Sequence, residues 1–450
     1  MRIVNQSISF SKLNNLRHCK KKFVLSSQDR IQKDTPQDNK TLFNQESREI
    51  TKYFINNTTK DKNYKDANFD ATDTAILCQT KNLFISRPAY LYQDIPITFP
   101  LLFSLGEKKI QLFELKSIIN IRKHHYELLA LKVHLLQLMG WEIVSTTLVN
   151  INHDFIYQGD SQYDGLFKFH DLSQTILEHI EGGKAILNEA RLLLLLGNIP
   201  DTAMGKHCEF PNQCYFFSHC SEHKVKPTNS LLSTNMLESI NKTISKLPRP
   251  IYFFDVEAIS FTIPRWKGCK PFDKIPFQFS CHVLTEDGAL HHHEFIDTSG
   301  EYPVKQFSEA LVKAIRHEGS VLVYDISLER HSVKLCQKTN PEIASELLRI
   351  DRSLVDLLPI IRSAIASDKS SQEKFSLNLK SLVHGIDPTL TYSNLAGVKN
   401  GYEIQNAYIR CIDSSTTHEK KEEIRTHMGA YCKRDTEVLV ALLQKLATVN

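Results

Sequence analysis

The sequence predicts an α/β protein of two domains, and three observations carry that prediction. The chain has 450 residues, more than one hydrophobic core usually supports. Hydrophobic residues make up 41% and charged residues 24%, which supplies real cores and excludes wholesale disorder. Strand-like and helix-like periodicities alternate in both halves, which are separated by the polar stretch "HKVKPTNSLLSTN" (His223 to Asn235). The expected organisation is a first domain over residues 1–225, a linker over 226–247 and a second domain over 248–450.

Residues 28 to 70, including "DRIQKDTPQDNK" and "NNTTKDKNYKDANFD", are polar and read as a long surface insertion or loop. "KKIQLFELKS" (Lys108 to Ser117) alternates as a strand does. "HHYELLALKVHLLQLMGW" (His124 to Trp141) has helix-period apolar positions, and "EIVSTTLVNI" returns to strand, the outline of an α/β core. After the boundary, an apolar-periodic helix ends near "LPRP". "IYFFDVEAIS" opens the second half as a strand, and "PFQFSCHVLTEDGALHHHEFI" (Pro271 to Ile296) follows as a hairpin with "EDG" at its turn. A helix is expected over Val304 to Gly319, a short apolar strand at "SVLVYD" (Ser320 to Asp325), and a last helix over "RTHMGAYCKRDTEVLVALLQKLA".

Composition narrows the function classes. The chain has no run of eighteen apolar residues, so no membrane partner is expected, and "MRIVNQSISFSK" lacks the apolar core of a secretory signal. A cytoplasmic location is therefore expected, where ten cysteines stay reduced and their clustering points to metal or redox chemistry. The net charge is only +4, but residues 1 to 60 hold twelve Lys/Arg against five Asp/Glu. That basic stretch suits either phosphates or plain solvation.

Asp255 and Glu257 end the run "YFFDVEAIS" and, in a strand, project from the same face. Two adjacent acids repel unless a cation neutralises them, and hard ions such as Mg²⁺ or Mn²⁺ take oxygen ligands. Asp325 ends the strand "VLVYD", Glu329 follows at the start of a helix, and "YCKRD" sets Tyr431 and Asp435 at i and i+4 on one helical face. In this order the residues resemble the DnaQ-like 3′ to 5′ exonucleases of RNase H-like fold, in the subgroup called DEDDy, over residues 248 to 450. The resemblance implies that Asp255, Glu257, Glu329 and Asp435 hold two Mg²⁺ or Mn²⁺ ions and that Tyr431 positions the attacking water. Two departures are Glu at 329 for the usual Asp and Asp at 325 for the usual Asn. Arg265, Trp266 and Gln278 are candidates for touching a strand end. His291 to His293 read as exposed strand, and Asp356 reads as a cap or surface acid.

"KHCEFPNQCYFFSHCSEH" holds Cys208, Cys214 and Cys220 at six-residue steps, and "NNLRHCKKKF" offers Cys19 as a fourth ligand. Ligand count alone fits zinc or iron, with His18 or His207 able to substitute. With "FELKS", these stretches resemble the RecB-type nucleases, including CRISPR-associated ones, which join a PD-(D/E)XK core of restriction-endonuclease-like fold to an iron–sulfur staple. The resemblance covers residues 8 to 222. It implies a 4Fe–4S cluster on Cys19, Cys208, Cys214 and Cys220, and a second nuclease site with Glu114 on metal and Lys116 orienting water. The preceding strand, "ITFPLLFSLGEKK", lacks the family's aspartate, with Ser104 or a neighbour in its place and Glu107 the only nearby acid. Lys132 stands where a glutamine is usual. That pattern implies a degenerate first site that retains nucleic-acid binding.

Both halves in this order resemble an uncharacterised bacterial family that joins a RecB-like domain to an RNase H-like domain. The expectation is a two-metal-ion nuclease acting on DNA or RNA. The competing expectation is a weakened nucleic-acid-binding or scaffold protein of repair or phage defence.

Overall fold

The computed structural model describes residues 8–27, 39–208, 214–221, 233–367, 379–380 and 386–447. The chain forms two compact units, one of Met1–Val225 with Thr262–Phe272 and the other of Lys226–Phe261 with Asp273–Asn450. Both are mixed α/β, with mixed sheets flanked by helices. Among the described residues, no helix is long and apolar enough to cross a membrane.

Unit 1 begins with helices α1 (Phe10–His18), α2 (Lys20–Ser26) and α3 (Asn39–Thr59). It continues through β1 (Tyr64–Asp66), α4 (Ala71–Leu77), β2 (Leu83–Ser86) and the hairpin β3 (Ala89–Tyr92) with β4 (Ile95–Thr98). Then come β5 (Leu101–Gly106), β6 (Lys109–Lys116), α5 (Lys123–Leu138), β7 (Glu142–Ile151), β8 (Phe167–Asp171), α6 (Ile180–Leu196) and α7 (Phe217–Ser221). The six-stranded sheet runs β1-β2-β5-β6-β7-β8, and α5 makes the crossover between parallel β6 and β7. The period-two alternation of β6 buries Ile110 and Leu112, and the same face buries Glu114. Core position and site position are therefore set together.

Within the stretch expected to be a surface insertion, α3 is a 21-residue helix. Its Ile50, Phe54 and Ile55 pack into a core with Leu101, Val149 and Phe167. The apolar residues are few and set among Asn, Thr and Lys, so the stripe has meaning only once the sheet gives it a partner. The segment Thr262–Phe272 also belongs to this unit: the Tyr157 amide donates to the Cys269 carbonyl at 3.0 Å, and Ile263 joins the same core. Trp266, expected near a strand end, is buried.

Unit 2 contains α8 (Thr234–Ile244), β9 (Ile251–Ser260), β10 (Lys274–Leu284), β11 (Leu290–Ile296), α9 (Val304–Ala314), β12 (Ser320–Val323) and α10 (Ser327–Thr339). It is completed by α11 (Ala344–Ser353), β13 (Leu354–Asp356), α12 (Leu357–Ser367), α13 (Gly401–Ile412) and α14 (His418–Ala447). Its sheet runs β11-β10-β9-β12-β13, with β9 antiparallel to β10 and parallel to β12. Part of the expected linker is α8, whose Met236, Leu237, Ile240 and Ile244 pack on β9 and α14 residues, so it is core. The rest of that linker, 226–232, lies outside the described residues.

Helix α9 ends at Ala314, short of Gly319. A Cβ at Gly319 would lie 2.2 Å from the Pro250 carbonyl, so the glycine serves the close approach that starts β12 and does not stop the helix.

Candidate active site

Strand β9 presents Asp255 and Glu257 on one face, and α14 presents Tyr431 and Asp435 one turn apart. Ligand atoms of Asp255, Glu257 and Asp435 all lie within 4.8 Å of one another, the one such group of three or more His, Cys, Asp or Glu among the described residues. A bulge in β10 between Pro276 and Gln278 falls opposite Glu257 and Ala258, where bulges commonly re-aim a side chain.

These carboxyls are costly to ionise. Burial holds Asp255 well above the usual carboxylate range, and the charges of Asp435, Glu257 and Glu329 add to the effect. Burial and Asp435 do the same to Glu257, with Lys380 pulling the other way. Asp435 rises to about 6 through burial, held back by the Tyr392 hydroxyl and by Lys380 and Arg434. Three such groups at this spacing need protons or a bound cation. An all-oxygen donor set suits a hard divalent ion, so the residues present fit Mg²⁺ or Mn²⁺.

Glu329 sits in the first turn of α10, outside that 4.8 Å group yet felt electrostatically by Asp255 and Glu257. It is buried, its Oε2 accepts no hydrogen bond, and burial with the charges of Asp325, Asp356 and Asp435 pushes it up to about 8. Asp325 adopts a left-handed turn, φ 63°, and its Oδ1 accepts from the Ser327 hydroxyl at 2.7 Å. Asp356 caps that turn, accepting from the amides of Asp325 at 3.1 Å and Ile326 at 3.3 Å.

Three residues that sequence reasoning missed complete the surroundings. The buried Tyr392 donates its hydroxyl hydrogen to Asp435 Oδ1. Lys380 stands over the rings of Tyr392 at 4.8 Å and Tyr431 at 4.9 Å, and donates to the Lys399 carbonyl at 2.8 Å. The Cys432 thiol donates to Asp255 Oδ2 at 3.6 Å. Only Cys432 had a signal, being inside "YCKRD". Tyr392 and Lys380 come from loop and short helix with no spacing relation to the acids.

Gln278, expected to reach a strand end, is instead buried between strand and helix, with Nε2 donating to the Met428 carbonyl at 2.9 Å. His291 and His293 are exposed as expected, while His292 turns inward to the Ser280 hydroxyl at 2.9 Å.

In unit 1, Glu114 and Lys116 do come together, 2.8 Å apart, but Lys132 joins them. Its ammonium lies 2.8 Å and 3.1 Å from the two Glu114 oxygens and 2.7 Å from the Thr98 carbonyl. Burial would raise Glu114; the charges of Lys116 and Lys132 overcome it and hold the carboxyl down at about 2. Ser104 does not stand across from Glu114: it pairs with Ile110, while Leu101 pairs with Phe113, and its hydroxyl donates to the Cys78 carbonyl at 2.9 Å. Glu107 is exposed and pairs with Lys81.

Cys19, Cys208, Cys214 and Cys220 line one pocket, with His18 and His207 beside them. Burial raises Cys214 and Cys220, and Lys22 and Lys21 respectively draw them back towards thiolate. His18 contacts the His207 carbonyl at 2.7 Å, which closes the pocket between the early and late segments. Tetrahedral zinc, with Zn–S of about 2.3 Å, requires thiolates about 3.8 Å apart. Among the described residues no three of these sulfurs lie within 4.8 Å of one another.

The fold and site define an α/β protein with a half-buried carboxylate cluster on a mixed sheet. The model of one protein family, described as a domain of unknown function (DUF2779), matches residues 252–376, a stretch that contains Asp255, Glu257 and Glu329. No curated protein and no solved structure matches the chain.

Proposed function

We propose that the protein is a metal-dependent nuclease whose second unit removes nucleotides from a 3′ end of DNA or RNA and whose first unit binds nucleic acid. One observation carries this reading: Asp255, Glu257 and Asp435 converge within 4.8 Å, with Tyr431 one helical turn from Asp435. The five-stranded mixed sheet flanked by helices agrees with the RNase H-like, DEDDy resemblance of the sequence.

Asp255, Glu257 and Asp435 would hold the divalent ions, with Glu329 completing the set through an oxygen that otherwise has no partner. When bound, a pair of such ions stabilises the attacking and leaving oxygens of an in-line phosphoryl displacement. The chain's own contribution is placement. Tyr392 holds the Asp435 carboxylate in orientation, Cys432 holds Asp255, and the buried Tyr431 offers a phenol beside the acids to orient a water. Lys380 adds a positive charge that favours ionised Glu257 and Asp435.

In unit 1 the pocket of four cysteines would hold a four-iron cluster that ties α1–α2 to the segment around Cys208–Cys220. End-labelled single- and double-stranded DNA and RNA, incubated with the anaerobically purified protein in Mn²⁺ or in EDTA, test the nuclease reading. Mn²⁺-dependent shortening from the 3′ end is expected, and it should vanish in Asp255→Ala with Asp435→Ala. Unchanged cleavage in that double variant defeats the assignment.

A further inference from the structure

We propose that the Glu114 site of unit 1 takes a nucleic-acid phosphodiester and no metal ion, because Lys132 is a built-in cation on the carboxylate that a metal would need. This rests on the reading of unit 1 as a nucleic-acid binder and gives that binding a chemical basis.

An ammonium has three donors, and those of Lys132 are engaged with the Glu114 carboxylate and the Thr98 carbonyl, while its charge faces the rings of Phe99 at 4.7 Å and Phe10 at 5.2 Å. The Lys132 side chain is only 8% exposed, so it cannot be exchanged for a hydrated ion without emptying a buried position. Lys116 takes the remaining face of Glu114 at 2.8 Å. The other buried acid nearby, Glu127, is paired with Arg17 at 3.1 Å and Lys123 at 3.6 Å. Both oxygens of Glu114 are engaged by lysines, and Glu127 Oε2, although it accepts no hydrogen bond, faces the Arg17 guanidinium at 3.1 Å, so the residues present do not fit the metal that the sequence resemblance implies.

The same arrangement leaves a surplus of positive charge. Arg17, Lys116, Lys123 and Lys132 pair with two carboxylates, and after burial Arg17, Arg122 and Lys116 help hold His124, and Lys116 and Arg122 help hold His125, below the usual imidazole range. Lys116 is partly exposed and spends one contact on Glu114, and Arg122 is exposed, so both can meet a phosphate. A phosphodiester needs counter-charge and tolerates the absence of metal when lysine and arginine supply it.

The test uses the full chain with Asp255→Asn and Asp435→Asn, so that the unit 2 site is silent. Binding of 5′-fluorescein oligo(dT) and oligo(U) is followed by anisotropy in EDTA, and Mn²⁺ binding by electron paramagnetic resonance. Binding in EDTA is expected, with a salt slope shallower by about 1 for each of Lys116→Gln and Arg122→Gln. Glu114→Gln should release no Mn²⁺. Bound Mn²⁺ that Glu114→Gln abolishes overturns the proposal, as does oligonucleotide binding that is absent in EDTA or unchanged in Lys116→Gln with Arg122→Gln. Lys116 is partly exposed and Arg122 exposed, and Lys132 remains on Glu114 in both variants, so folding is less at risk than in Lys132→Gln. A wild-type protein that cuts nothing would defeat the nuclease reading and leave these outcomes untouched.

Discussion

Tyr392 donates its phenolic hydrogen to Oδ1 of Asp435, from 43 residues away in the chain, and both groups are buried. A donor on a carboxylate favours the ionised form, so Tyr392 opposes the burial that pushes Asp435 up to about 6. In Tyr392→Phe the pH at which Mn²⁺ binding is half lost should move upward by about one to two units, since a hydrogen bond to a charged group is worth on the order of 1.5–3 kcal/mol. Affinity at pH 8.5 should change little. Superimposable pH titrations of wild type and variant would show that Tyr392 does not tune Asp435.

The metal-free protein should lose stability as pH rises from 6.5 to 8. Asp255 and Glu257, held well above the usual range, and Glu329, at about 8, bind more protons folded than unfolded across this window, so stability falls with pH. His125 and His282, both lowered to about 4, act with the opposite sign, an effect that fades above about pH 7 as the unfolded histidine loses its proton. Mn²⁺, which requires the ionised carboxylates, should remove the decline. Thermal scans in EDTA and in Mn²⁺ check this; a transition that stays level in EDTA over that range would contradict it.

Anaerobic purification should give a brown protein with about four irons per chain, the load of one 4Fe–4S cluster. Cys214→Ser removes one of the four cysteines that line the pocket and should bleach the colour and lower the melting temperature of unit 1. A colourless preparation with one zinc per chain would sink the iron assignment.

The elements that position the second site were legible because their periodicity is local. The same-face pair Asp255 and Glu257 on β9, and the i, i+4 pair of α14, follow from strand and helix geometry alone. The core role of α3 was not legible, because Ile50, Phe54 and Ile55 are isolated among polar residues until β5, β7 and β8 cover them. Lys132 could be seen standing at a glutamine's position, but its three contacts depend on how α5 crosses over β6 and β4. Lys380 and Tyr392 reach the acids by tertiary folding, for which no spacing rule exists.

Behind Asp435, the next residue closes a polar network that fixes α14 against the sheet. Thr436 Oγ1 donates to the Lys433 carbonyl at 2.9 Å and so accepts from Ser280 Oγ at 2.7 Å and His282 Nδ1 at 2.8 Å. His292 Nε2 supplies the Ser280 hydroxyl at 2.9 Å, and its ring lies 4.4 Å from that of His282. Thr436 and Ser280 are fully buried, so no water can replace the lost partner. Thr436→Val keeps the shape and strands two buried donors, which should cost about 1–3 kcal/mol in urea denaturation. Thr436→Ser restores the hydroxyl and should recover most of the loss. Because α14 also carries Tyr431 and Asp435, the valine variant should weaken Mn²⁺ binding as well as stability. A valine variant within about 0.5 kcal/mol of wild type, the size of an ordinary surface change, would show that the network does not hold the helix.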